Sequence, residues 1–137
     1  MRPKKLVLLA GADELSQSVL AYMLKTNGYR VITAASGQEA IEASRKNGAD
    51  IVLADVVMEP MDGIKLTSKL KQMASHVPMI LLGDPQQMSG AIYSADALLN
   101  KRMVLPAELL DRIKIMSARK RGPRPIQKPV PAQIQVA

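Results

Sequence analysis

The sequence contains no cysteine, no phenylalanine and no tryptophan, and three tyrosines supply its 2% of aromatic residues. Without cysteine there is no disulfide scaffold and no thiolate zinc site. With so few rings, the core must be aliphatic, drawn from Leu, Ile, Val, Met and Ala in a chain that is 47% hydrophobic. Long apolar runs are also missing. None approaches the ~18 residues of a membrane-spanning helix, and Met1-Arg2-Pro3-Lys4-Lys5 leads into only a short apolar stretch, so the chain reads as untargeted, cytoplasmic and without a membrane partner. A glycine-rich phosphate loop is absent too. Ala10-Gly11-Ala12 after the first apolar run is too sparse for a nucleotide-dependent enzyme, which leaves a non-enzymatic reading. The last scarcity is of acid. Residues 1–111 carry twelve Lys/Arg against twelve Asp/Glu, whereas Arg112, Lys114, Arg119, Lys120, Arg121, Arg124 and Lys128 follow with no acidic residue, so the whole net charge of +7 lies there.

What is present fits one domain, because 137 residues suffice for one hydrophobic core. Five short apolar runs, at 5–9, 30–34, 51–54, 79–82 and 97–99, include several that are apolar at every position, as strands covered on both faces are. Between them lie helical periods. Leu15, Val19, Leu20, Met23 and Leu24 predict an amphipathic first helix stopping at Asn27-Gly28. Ser36 and Glu39 have capping-box spacing for a second, which ends near Asn47-Gly48. Asp62 is placed to cap a third carrying Ile64, Leu66, Leu70 and Met73, and Pro106 to open a last one with Leu109, Leu110, Ile113 and Met116 inside. Between 83 and 95, Asp84-Pro85 and Gly90 weaken the period, so the fourth helix is expected to be short or irregular. Five β-α repeats imply right-handed crossovers and a three-layer, flavodoxin-like α/β sandwich with a five-stranded parallel sheet in the order 2-1-3-4-5. A site then forms at the C-terminal ends of strands one and three, near Asp13 and Asp55. Residues 1–121 make up this domain. Residues 122–137, with four prolines and no acid, are expected to be a flexible basic tail.

The segment Ile51-Val52-Leu53-Ala54-Asp55-Val56-Val57-Met58-Glu59-Pro60-Met61-Asp62-Gly63 resembles the phosphoacceptor segment of bacterial two-component response-regulator receiver domains, the CheY-like family. Asn27-Gly28-Tyr29-Arg30-Val31 and Ala95-Asp96-Ala97-Leu98-Leu99-Asn100-Lys101 sit as they do in that family. The resemblance implies that Asp55 accepts a phosphoryl group from a histidine kinase, that Lys101 contacts the phosphoryl oxygens, and that Mg2+ bridges them. It also exposes departures. The two acidic residues that the family uses for the cation fall on Gly11 and Ala12, its strand-four hydroxyl on Gly83, its strand-five aromatic on Leu98, and the proline after its lysine on Arg102. Asp84 stands where the family usually has a small residue, and would repel a phosphoryl group. Asp13 is the nearest substitute carboxylate. It is read first as the N-cap of helix one and second as a metal ligand. Mg2+ is accordingly expected to be weak or absent, with Asp55, Asp13 and the Val57 backbone carbonyl as its ligands and Glu59 a further carboxylate within the loop.

Two functions remain open on these residues. One is a receiver in phosphorelay signalling, with Asp55 as acceptor and output through contact with a downstream signalling protein. The other is a phosphorylation-independent pseudo-receiver that binds a partner constitutively through the face of the fourth helix, strand five and last helix, with Asp55 a polar remnant bonded to Lys101. His76 lies in an expected loop with no catalytic companion. Nucleic-acid binding by the tail is disfavoured, since the tail has no aromatic residue for stacking.

Deletion of residues 122–137 is expected to leave the domain folded with little change in melting temperature, because the tail has no amphipathic period with which to pack. Retention on heparin should fall, and the difference should shrink with salt. An unfolded product, or equal and salt-insensitive retention of both forms, overturns this assignment.

Overall fold

Strands that are apolar at every position have no solvent face, and the structure, a computed structural model that describes residues 4–57, 61–84 and 95–118, places three of them in the middle of the sheet. The elements are β1 (Leu6–Ala10), α1 (Glu14–Thr26), β2 (Arg30–Ala34), α2 (Gly37–Asn47), β3 (Ile51–Asp55), α3 (Gly63–Met73), β4 (Met79–Gly83), β5 (Ala97–Asn100) and α4 (Pro106–Ser117). The strands are parallel in the order β2-β1-β3-β4-β5, as expected. The half-exposed β2 and β5 form the edges.

Strand alternation divides the core in two. Leu8, Ala10, Val52, Ala54, Met79 and Leu81 face α2 and α3, where they meet Ala40, Ile41, Leu66 and Leu70. Val7, Leu9, Ile51, Leu53, Ile80 and Leu82 face the other way, onto Ala21 and Leu24 of α1 and Leu109, Ile113 and Met116 of α4. Each fully buried aliphatic side chain contributes roughly 1.5–3 kcal/mol, so two such layers hold the sheet without aromatic residues.

The predicted stops and starts lie where the polar groups need them. Asp13, Ser36 and Asp62 accept from the backbone N–H groups of Leu15, Glu39 and Lys65 at 3.2, 3.2 and 2.8 Å. The Glu39 carboxylate accepts from Ala35 N, one residue ahead of the cap. At the opposite ends of the strands, Asp50 accepts from Leu6 N at 2.7 Å, and Asp96 accepts from Met79 N while pairing with Lys71 at 2.8 Å. These carboxylates tie down the N-terminal ends of β1 and β4 and leave the C-terminal ends for chemistry.

One expectation is corrected. Leu24 is fully buried and Leu20 and Met23 are partly so, but Leu15 and Val19 are exposed, at 74% and 63%. The inward line of α1 runs instead through Gln17, Ala21 and Leu24. Gln17 satisfies its amide there by donating to Leu9 O and Ala34 O at 3.2 and 3.0 Å. A polar residue on the inner face disguised the helix's true orientation. The expected short or irregular fourth helix falls largely on residues 85–94, and this stretch, residues 58–60 and the expected tail at 122–137 lie outside the described residues.

Gly63 donates its N–H to Val56 O at 2.9 Å, and a Cβ there would run into the backbone oxygen of Asp55, with Leu81 Cδ2 at 3.0 Å. Gly63→Ala is therefore expected to cost about 1–3 kcal/mol, as overpacking of an interior commonly does. Urea denaturation measures it, and an unchanged midpoint refutes it.

Candidate functional site

Register builds the site. Asp55, the last residue of β3, pairs with Leu82 of β4, and Gly83 pairs with Asn100 of β5, so Lys101 emerges one strand further along, at the same edge of the sheet. Its backbone N–H donates to Gly83 O at 3.1 Å. Its side chain returns across β4, and Nζ donates to Asp55 Oδ2 at 3.1 Å. On the other side, Gly11 follows β1 and bonds its N–H to Ala34 O at 3.0 Å. A Cβ on Gly11 would collide with Asp55 Oδ2. The missing side chain is thus the seat of the Asp55 carboxylate. Before these groups lies an open cavity of about 290 Å³, lined by Asp55, Val57, Gly83, Asp84, Lys101 and Arg102.

Burial dominates the electrostatics. The Asp55 side chain is 14% exposed, and loss of hydration raises its pKa above the ordinary 3.8, with a smaller push from the Asp13 charge, although the Lys101 hydrogen bond and charge oppose both. Asp13 is open to water and moves the opposite way, held down mainly by the Ser16 hydroxyl, which donates to its Oδ2 at 2.6 Å.

A magnesium ion prefers near-octahedral coordination by six oxygens and depends on anionic ones. The residues here do not fit that need. Gly11 and Ala12 offer no side-chain oxygen. Both Asp13 oxygens are engaged in capping α1, one by Leu15 N and the other by Ser16. Among the described residues there remain the Asp55 carboxylate, already bonded to Lys101, the Asp84 carboxylate on the cavity wall, and the backbone at Val57, which is short of the six oxygens the ion needs. Among the described residues no three of His, Cys, Asp and Glu converge as a metal cluster.

The structure places Asp55, Lys101 and Val57 on one cavity and gives Asp13 the N-cap position of α1. Glu59 lies outside the described residues. His76 is exposed in a turn before β4. Two features were not anticipated. The close approach of Asp55 to Gly11 was hidden because a glycine reads as a lost ligand, not as space. Arg102 appeared only as a lost proline, yet it lines the cavity beside Lys101.

Because the folded state holds the Asp55 proton to a higher pH than the unfolded chain does, the stability tied to the neutral carboxyl is complete below the unfolded value and is lost as pH rises through the folded one. Asp55→Asn removes that loss. Thermal melts should show a higher melting temperature than wild type at neutral pH, with the gain fading toward about pH 3.5, near the bottom of the carboxylate range. A variant destabilised at neutral pH contradicts this balance of burial over pairing.

Residues 7–114 match the model of the response regulator receiver domain. The transcriptional regulatory protein PrrA of Mycobacterium tuberculosis is 32% identical over 124 residues, which are 88% of this chain and 52% of that protein. The sensor histidine kinase RcsC of Escherichia coli K12 is 36% identical over 75 residues, 55% of this chain and 8% of that protein. The chain thus spans about half the length of PrrA and a small part of RcsC. A solved structure of the receiver domain of sensor histidine kinase PA1611 from Pseudomonas aeruginosa, with magnesium coordinated in its active site cleft, matches with a TM-score of 0.74 and 25% identity over 85% of this chain and 99% of that one. Sheet order, the acidic residue ending the third strand and a family match covering most of the sequence agree, and the chain belongs to the response-regulator receiver domains of two-component systems, with the CheY-like fold.

Proposed function

We propose that the chain is a phosphorelay receiver in which Asp55 accepts a phosphoryl group from a histidine kinase and the response is read by a downstream protein through direct contact. The observation that carries this is the ion pair at the sheet edge: a mostly buried carboxylate at the end of β3, 3.1 Å from the Lys101 ammonium and facing an open cavity. A carboxylate held there is a nucleophile with a defined direction of attack. In the transfer, an Asp55 oxygen forms the new bond to phosphorus while the donor's P–N bond breaks. The donor histidine keeps the electron pair of that bond, and Lys101 follows the charge onto the phosphoryl oxygens. Gly83 and Leu98 stand where the family has its hydroxyl and its aromatic, so the response does not run through that pair of side chains.

Residues 1–121 act as the module on this reading, and 122–137 as a basic extension that favours an acidic partner surface. Among the described residues no helix is long and apolar enough to cross a membrane. No observation favours a constitutive pseudo-receiver.

Incubation with acetyl phosphate followed by intact-mass measurement is expected to show one phosphoryl adduct, absent in Asp55→Asn and reduced several-fold in Lys101→Ala. An adduct that survives Asp55→Asn, or labelling indifferent to Lys101, overturns the assignment.

A further inference from the structure

We propose that the cavity beside Asp55 binds phosphate and phosphoryl groups through two side-chain cations, Lys101 and Arg102, with no divalent metal taking part. This deepens the acceptor role assigned to Asp55 and rests on it for its biological meaning. The binding itself does not require covalent transfer.

Charge balance leads to it. The two acidic residues that receiver domains place after strand one bring two negative charges, which a divalent cation offsets. Gly11 and Ala12 bring none, so the ion and the charges it would neutralise are lost together. Among the described residues lining the cavity, the anions are Asp55 and Asp84 and the cations Lys101 and Arg102, which balance without a metal. Asp84 opposes an anion in the cavity, so one ammonium already paired with Asp55 is not enough. The guanidinium supplies the second positive charge.

Position supports the same role. Arg102 lies in a tight turn after β5, fixed at three points by Asn100: its own N–H donates to Asn100 Oδ1 at 3.0 Å, and the N–H groups of Met103 and Val104 donate to Asn100 O at 3.1 and 2.9 Å. The turn sets Arg102 next to Lys101 on the wall of the cavity, which Gly83 at the end of β4 also lines. Gly83 has no side-chain hydroxyl to offer a phosphoryl oxygen, and it lines the same cavity as the arginine. A planar guanidinium donates two parallel hydrogen bonds to phosphate oxygens, which replaces both the direction of a hydroxyl and part of the charge of a metal.

The test is an NMR titration of the full chain with inorganic phosphate at constant ionic strength, following the backbone amides of Val57, Gly83, Lys101 and Arg102, once with EDTA and once with Mg2+. Saturable shifts confined to these amides are expected, with the same dissociation constant in both buffers. Arg102→Gln should bind about tenfold more weakly, the scale of one charge-assisted hydrogen bond, and Arg102→Lys should recover part of the loss. Retained amide dispersion in each variant separates a binding effect from a folding one. Absence of saturable shifts in the wild type, equal affinity in Arg102→Gln, or binding that requires Mg2+ each overturns the proposal. Failure of the acceptor role reads differently: phosphate binds through Arg102, but acetyl phosphate leaves no adduct on Asp55.

Discussion

Asp55 and Lys101 are 46 residues apart in sequence and meet at 3.1 Å, and the rest of the molecule can be understood as what that meeting requires. Two crossovers separate β3 from β5, and each must return the chain to the same edge of the sheet for the acid and the ammonium to face one another across β4. Burying a carboxylate costs free energy, which shows as the raised pKa of Asp55 even with the lysine in place. The aliphatic layers on both faces of the sheet offset it. Residues in those layers, such as Val7, Val52, Leu66, Ile80 and Ile113, have no accessible surface at all.

The ends of the strands divide the labour. At the N-terminal ends, Asp50 and Asp96 each accept a strand N–H, and Asp96 also takes the Lys71 ammonium, so those carboxylates have their hydrogen bonds made and hold the register. At the C-terminal ends, the Asp55 carboxylate pairs with Lys101, is short of water and looks into open space. Equal chemistry in unequal surroundings separates the acids that hold the register from the one that faces the cavity. Asp13 belongs with the structural group, since its two oxygens serve the first turn of α1.

Much of the fold was legible because the physics behind it is local. A strand apolar at every position announces burial on both faces, and Ser36, Asp62 and Pro106 announce helix starts through the backbone groups that would otherwise be unpaired. Asp55 and Lys101 were legible through the motif around each. The rest depended on contacts that no periodicity encodes. Gln17 turned inward because two strand-end carbonyls, 8 and 17 residues away, were there to receive its amide, and this rotated Leu15 and Val19 out of the core. Gly11 and Arg102 were visible in sequence only as departures from a pattern. Their use, as a seat for a carboxylate and as a wall of a cavity, appears only once the sheet brings the C-terminal ends of β1, β3 and β5 to one edge.

Those same residues bear on how a signal leaves the site. Lys101 lines the cavity around Asp55, and it also forms part of the rim of a second, largely apolar groove of about 430 Å³ between α1 and α4, where Leu15, Val19, Met23, Val104 and Pro106 are found. The ammonium is therefore common to the proposed chemical site and to an exposed apolar surface. With Gly83 and Leu98 in place of a hydroxyl and an aromatic ring, no side chain at those two positions can respond to a new charge by reorienting a polar group. Lys101 can. A phosphoryl group on Asp55 offers its nitrogen more negative oxygens on the cavity side, and any movement toward them alters the rim of the groove. On the proposed function, coupling between chemistry and surface then passes through one side chain and the turn that carries it, and the length and anchoring of the Lys101–Arg102 turn become as important as the carboxylate.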